Sequence, residues 1–310
     1  MTDQPLALVV GASRGLGLLI ARELVRRDHR VVVAARDAAE LDRATAMLGP
    51  RATARVCDVR DRDAVRALVA GVEESVGPIS VAITVAGIIR TGPAEAMEHE
   101  DYVDAVNTMA WGPIHVALAV LPAMRERGSG RIGTVASIGG MVSPPHLLPY
   151  ATAKFAAVGF SDGLAASLSG TGVTATTIVP GLMRTGSHER ADFTGDPAAE
   201  YAWFGPAASL PLVSMDAERA AARIVSAVLA GRPMVVLTPL AWIGIRVRGL
   251  VPGTTTRVMG LANRLLPDAP AGGGTPAQGR EAARRLDSRV VRVLTTLGRR
   301  AARRNNERPA

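Results

Sequence analysis

The chain has 310 residues, 48% of them apolar and 21% charged, with a formal net charge of +8 and one cysteine, Cys57. That length fits one folded core with an appendage, and a single cysteine excludes an intrachain disulfide and fits a reducing compartment. The five histidines are scattered at 29, 99, 115, 146 and 188, which excludes a clustered metal site, and no uninterrupted apolar run reaches the roughly 20 residues of a bilayer span.

Leu6-Ala7-Leu8-Val9-Val10 reads as a buried strand and runs straight into Gly11-Ala12-Ser13-Arg14-Gly15-Leu16-Gly17. Because that first apolar run leads into a glycine turn, no signal peptide is expected and a cytoplasmic location follows. A helix with apolar residues at helical spacing comes next, at 15–27. Glycines between a strand and a helix permit a tight turn. They also let a pyrophosphate approach the helix N-terminus, where free N–H groups point outward.

Further strands are expected at 31–35, 53–57, 79–84, 131–136, 173–179 and 233–237, with helices at 38–48, 61–76, 98–126, 150–169 and 217–230. Such alternation implies an α/β fold with a doubly wound parallel sheet covered by helices on both faces. Ligands of such sheets bind beyond the strand ends, where Gly11, Arg36, Asp58, Gly87, Ser137 and Pro180 fall. Cys57 ends the third strand and reads as a buried, inert thiol.

Lys154 is the only lysine; the other 35 basic residues are arginines. It follows Tyr150 by four positions, which on a helix places phenol and ammonium on one face. An ammonium there favours phenolate and would draw the phenol pKa below its usual value of roughly 10. Arginine, planar and forked, would not present the same point charge.

After Pro180-Gly181, residues 182–210 form a long connection holding Phe193, Tyr201, Trp203 and Phe204, four of the ten aromatics. Long connections are often lids or binding loops, and an aromatic lid points to an apolar substrate. Packing of the lid onto the domain is an equal alternative. Met141, Val142, Leu147 and Leu148 are expected on the opposite wall.

Residues 240–310 hold fourteen arginines and four acids, so all the excess positive charge lies there. This basic helical extension has two parts. The first, 240–266, mixes Trp242, Ile243, Ile245, Val247, Leu250 and Val251 with Arg246 and Arg248. The second, 280–304, places Leu286, Val290, Val293, Leu294 and Leu297 on one helical stripe among arginines. Residues 270–276 read as a linker, and disorder is expected from about 301. Such a tail docks on its own domain or a second subunit, or lies peripherally on an anionic membrane. No aromatic in the second part offers base stacking, so nucleic acid is not expected. The tail is also expected to stay outside the active-site machinery.

Together these motifs resemble the short-chain dehydrogenase/reductase family over roughly residues 5–238. The resemblance rests on Gly11, Gly15 and Gly17 in the turn, Asn107 in the long helix, and Ser137 after the fifth strand. Tyr150 with Lys154 and the Pro180-Gly181 pair complete it. Two positions depart from the family pattern: Val10 replaces a threonine, and Thr84-Val85-Ala86-Gly87 replaces Asn-Asn-Ala-Gly. The resemblance implies a Rossmann-fold catalytic domain at 1–239, an extension at 240–310, and a homo-oligomer.

It also implies a catalytic set of Asn107, Ser137, Tyr150 and Lys154. Cofactor contacts are implied for Gly11, Ser13, Arg14, Gly15, Leu16, Gly17, Arg36, Asp58, Val59, Ala86, Gly87, Tyr150, Lys154, Pro180, Gly181 and Thr185. NAD-preferring relatives carry an aspartate where Ala35 stands. Here Arg36 follows at once and Arg14 lies in the turn, so two guanidiniums are placed for a 2′-phosphate. The expected cofactor is therefore NADP(H), with Asp37 as a helix cap. The expected activity is interconversion of a carbonyl and an alcohol, as reductase of a small apolar ketone or aldehyde. The alternatives are a non-catalytic dinucleotide-binding sensor or scaffold, and an NAD-linked alcohol dehydrogenase.

Overall fold

Strand β1 (Leu6–Val10) is buried along its whole length, the environment that makes a strand a continuous apolar run. With β2 (Arg30–Ala35), β3 (Ala52–Val56), β4 (Ile79–Thr84), β5 (Gly130–Val135), β6 (Val173–Val179) and β7 (Met234–Val236), it builds one sheet. All neighbours run parallel, in the order β7-β6-β5-β4-β1-β2-β3. The order reverses between β1 and β4, which opens a crevice at the C-terminal ends of those strands. The computed structural model describes residues 4–211, 213–270 and 275–308.

Helices cover both faces. On one, Leu24 of α1 (Gly15–Arg26) shares a buried cluster with Leu41 of α2 (Ala38–Leu48) and Ile224 of α9 (Ala217–Leu229). On the other, Val65 and Val72 of α3 (Arg62–Ser75) meet Val116 and Val120 of α5 (Gly112–Glu126). The Asp37 carboxylate accepts from the Glu40 N–H at 2.9 Å and caps α2, as expected from the sequence. The Thr84 hydroxyl donates to the Gly133 carbonyl at 3.3 Å, so that departure from the family pattern still ties β4 to β5.

The helix read as continuous over 98–126 is interrupted. Helix α4 (His99–Val106) leads into a π-helical turn at Asn107–Trp111 before α5 begins. The Gly112 N–H reaches back to the Asn107 carbonyl. A Cβ at Gly112 would lie 2.9 Å from Val59 Cγ2, so the helix presses on the loop after β3. Such single-turn bulges recur beside functional sites. The run His99–Glu126 is also the one helix among the described residues long and apolar enough to cross a membrane, and half of its apolar window is buried in this fold.

Helix α6 (Leu148–Ser167) carries Tyr150 and Lys154. The 182–210 connection folds into α7 (Ser187–Arg190), α8 (Pro197–Ala207) and short strand segments. Beyond β7, α10 (Pro239–Leu250) and α11 (Pro252–Asn263) form a hairpin. The expected linker at 270–276 lies partly outside the described residues, which omit 271–274.

The second part of the tail differs from the single striped helix expected. It forms three short helices, α12 (Gly279–Leu286), α13 (Arg289–Leu294) and α14 (Thr296–Arg304). Asp287 takes a left-handed conformation at φ 41° and Ser288 caps α13, which breaks the stripe. Val290 and Val293 consequently face solvent, while the small Ala282, Ala301 and Ala302 are buried in the contact. Where disorder is expected, from about 301, the described residues continue through α14 to 308. Asn305, Asn306 and Glu307 are buried against the catalytic core.

Candidate active site

A crevice of about 770 Å³ runs along the C-terminal edge of the sheet. It is lined by Gly11, Ser13, Arg14, Gly15, Leu16, Gly17, Arg36, Asp58, Val59, Ala86, Gly87, Ser137, Tyr150, Lys154, Pro180, Gly181 and Thr185. Every catalytic and cofactor-contact residue expected from the sequence is therefore brought to one cavity, with Asn107 the exception.

The glycines are required by contact. A Cβ at Gly11, which sits at φ +85°, would lie 2.3 Å from the Ala86 nitrogen, and one at Gly17 would lie 2.1 Å from the Gly11 carbonyl. β1, α1 and the loop after β4 meet there with no room for a side chain. The result is a cradle at the N-terminus of α1 that fits the pyrophosphate of a dinucleotide.

At the β2 and β3 end, Arg36 is exposed and makes no ion pair among the described residues. Arg14 pairs with Glu40, which also pairs with Arg190 and accepts from the Ser13 hydroxyl at 2.9 Å. Burial works to raise the Glu40 carboxyl, but Arg14, Ser13 and Arg190 outweigh it and hold it below the usual value. Sequence reasoning missed Glu40, which reads as an ordinary residue in the first turn of a helix. Asp58, expected among the cofactor contacts, is engaged by Arg60 at 2.7 Å. Burial raises that carboxyl too, and the Arg60 contacts more than reverse it. The Cys57 thiol is pushed up to about 11 by burial and by Asp58 and Asp61, in agreement with an inert thiol.

At the other end stand Ser137, Tyr150 and Lys154. Ser137 accepts from the Gly139 N–H at 3.0 Å, which fixes its hydroxyl. A Cβ at Gly139 would lie 3.0 Å from Tyr150 Cε1 and 3.5 Å from Ser137 Oγ, so this glycine lets phenol and hydroxyl share one wall. Lys154 donates to the Val135 carbonyl at 2.7 Å and lies 5.7 Å from the centre of the Tyr150 ring. Burial lowers the ammonium to about 8. The expectation that Lys154 depresses the phenol pKa is corrected. Burial raises Tyr150 above its ordinary value, and the Ser137 hydrogen bond opposes this only in part.

Three further expectations change. Asn107 opens the π turn and does not line the crevice, where its neighbour Thr108 does. The aromatic lid is a packing core. Phe193, Tyr201 and Phe204 are buried together with Ala191 and Ala282, with Leu286 and Val291 of the tail packed against them. Their rings meet edge to face at 5.7 Å centroid spacing. Met141, Val142, Leu147 and Leu148 likewise lie off the crevice, and Leu147 packs on that aromatic cluster. Ile88, Ile89 and Asp192 are instead grouped with Tyr150 around a small side pocket, and Ala191 and Gln278 also line the crevice.

The tail also enters the site, against expectation, because Gln278 and Glu307 line the crevice. No motif marks either residue, and their position depends on helices folding back over the whole domain.

Known proteins agree with this geometry. The short chain dehydrogenase family matches residues 5–193. A putative ketoacyl reductase of Streptomyces coelicolor is 39% identical over 188 residues, 59% of this chain and 72% of the relative. The gluconate 5-dehydrogenase of Gluconobacter oxydans is 36% identical over 187 residues, 59% of this chain and 73% of the relative. The crystal structure of an actinorhodin polyketide ketoreductase variant with NADPH superposes with a TM-score of 0.67 at 32% identity, covering 76% of this chain and 95% of that one. The family's glycine cradle and its Ser–Tyr–Lys group stand here on one crevice, and the chain belongs to the short-chain dehydrogenase family, oxidoreductases of CH–OH groups that work with a nicotinamide cofactor.

Proposed function

We propose that this protein is an NADPH-dependent reductase of an apolar ketone or aldehyde. The observation that carries the reading is the convergence of Ser137, Tyr150 and Lys154 at one end of a crevice whose other end holds the unpaired Arg36. The nicotinamide, when bound, supplies the hydride. The chain's own residues place and protonate the oxygen. Ser137 donates a hydrogen bond to the carbonyl oxygen and holds it against Tyr150. The Tyr150 phenol, kept neutral by burial, passes its proton to that oxygen as charge develops. Lys154, tethered through the Val135 carbonyl, presents its positive charge to the phenolate left behind.

The absence of a carboxylate at Ala35, with Arg36 beside it, favours a 2′-phosphate over a free ribose hydroxyl. Ile88 and Ile89 give an apolar flank beside the phenol, which suits the body of a ketone. The ketoacyl and polyketide reductases among the relatives point the same way. The experiment is a panel of ketones and aldehydes followed by NADPH absorbance, with Tyr150→Phe as control. Turnover should disappear in the variant while nucleotide still binds. A Tyr150→Phe protein that keeps most of its kcat on a true substrate sinks the assignment.

A second reading concerns the α10–α11 hairpin. Leu240, Trp242, Ile243, Leu250, Leu261 and Leu265 are all at least half exposed. Residues 239–266 carry four arginines and no acid. Apolar side chains among arginines alone fit the interface of an anionic membrane, and we infer a peripheral contact there.

A further inference from the structure

The chain after α14 does more than cover the glycine turn. Asn306 adopts φ 58°, a left-handed turn that asparagine tolerates, and this carries the last residues across the N-terminus of α1. The Gly15 N–H donates to the Asn305 carbonyl at 2.9 Å. Asn306 Nδ2 donates to the carbonyls of Ser13 and Glu40, at 2.8 and 3.0 Å, and Arg43 Nε donates to Asn306 Oδ1 at 3.0 Å. Glu307 Oε1 accepts from the Gly186 N–H at 2.9 Å. A Cβ at Gly15 would lie 2.8 Å from that same oxygen, so the space left by the glycine is filled by the carboxylate.

The seat is built for this segment. A Cβ at Gly186 would lie 2.4 Å from Ala302 Cβ, and one at Gly298 would lie 2.4 Å from Ser209 Oγ. Arg308 Nε closes the arrangement on the Glu189 carboxylate at 2.7 Å. The buried acid, 3% exposed, thus accepts from the Gly186 N–H and lies against Gly15 of the glycine turn, where the reading above places the cofactor's pyrophosphate.

We propose that the Asn305 carbonyl and the Glu307 carboxylate occupy the pyrophosphate seat, so that the tail and the nicotinamide cofactor bind in competition. The proposal rests on the cofactor reading of the crevice. A carbonyl oxygen and a carboxylate take the donors that phosphate oxygens would take, and Glu40 engages Arg14, the guanidinium in the same turn. Burial pushes Glu307 up to about 7 against the pull of Gly186, Arg14 and Arg190. The cofactor then binds a form in which the tail has swung out, and its apparent affinity falls by the fraction of molecules in that form.

The test compares NADPH binding, by nucleotide fluorescence, in the full chain, in a chain ending at Arg304, and in the double variant Asn306→Ala, Glu307→Ala. Both altered proteins should bind NADPH about tenfold or more tightly. A synthetic peptide of residues 299–310, added to the truncated protein, should raise its apparent Kd again in a competitive manner. Equal affinity in all three proteins, or weaker binding once the tail is removed, overturns the proposal; weaker binding would make the tail part of the cofactor site. The double variant gives the answer if truncation impairs folding, since it keeps α14. Failure of the cofactor reading looks different: no form would bind the nucleotide at all.

Discussion

Arg36 and Arg14 look equivalent in the sequence, and the fold separates them. Arg14 is engaged by a buried carboxylate from α2, while Arg36 is left exposed at the crevice. Arg36→Ala should therefore remove most of the preference for NADPH over NADH. A charge-assisted pair is worth roughly 1.5–3 kcal/mol, which is about tenfold or more in affinity. Equal binding of both cofactors by the unaltered protein would overturn this. Lys154 gives a second prediction. Its ammonium is lowered to about 8 by burial, so kcat/KM for reduction should fall as pH rises through that value. Stability should move the other way. The unfolded lysine keeps its proton to near 10.5, so between about 8 and 10.5 the unfolded state binds more protons and the folded protein gains stability with pH. A pH–rate profile that is flat across 7–9 would remove Lys154 from the mechanism. Residues set by a local motif, such as Gly11, Ser137, Tyr150 and Lys154, were legible in the sequence because a turn or a helix repeat fixes their spacing. Glu40 was not, because its partners Arg14 and Arg190 come from distant segments.

The regular elements were legible to within two residues at most ends, because buried strands and amphipathic helices carry their periods openly. The failures share a cause. The π turn at Asn107–Trp111 inserts one residue into a helix without changing its apolar pattern, so sequence periodicity passes over it. The tail stripe had a helical period, but Asp287 and Ser288 end one helix and begin another, and of the stripe Leu286 joins the buried alanines in the contact while Val290 and Val293 face solvent. The aromatics of the 182–210 connection could pack or bind by composition alone, and the return of α12 decided for packing. Several tail arginines are neutralised in place, with Arg280 and Arg308 on Glu189 and Arg304 on Glu218. The four arginines of the α10–α11 hairpin make no such pairs among the described residues. Membrane contact, if it occurs, should therefore need the hairpin and not α12–α14. Co-sedimentation with anionic vesicles should be lost on Trp242→Glu with Leu250→Glu and weakened by salt. No pelleting of the unaltered protein at low salt rejects the idea.

At the scale of the molecule, the expected domain division after residue 239 describes chain order better than spatial organisation. The hairpin stands apart in composition, while α12 packs on α8 and α14 on α7, and Gln278 and Glu307, which flank this returning segment, line the crevice. We propose that the catalytic unit includes the returning helices. The contact between Ser13 and Asn306 spans 293 residues. Loop-closure entropy rises only slowly with length, so such a span costs little once the rest has folded. Its consequence lies in the order of synthesis. The glycine turn, the sheet and the Ser137–Tyr150–Lys154 group are all made before residue 239, and the segment that competes for the cradle is made after them. At about 5–20 residues per second, the roughly 70 residues between β7 and the final turn take several seconds to translate. During that interval a growing chain has its cradle but not its internal anion, and a nucleotide captured then would meet no rival.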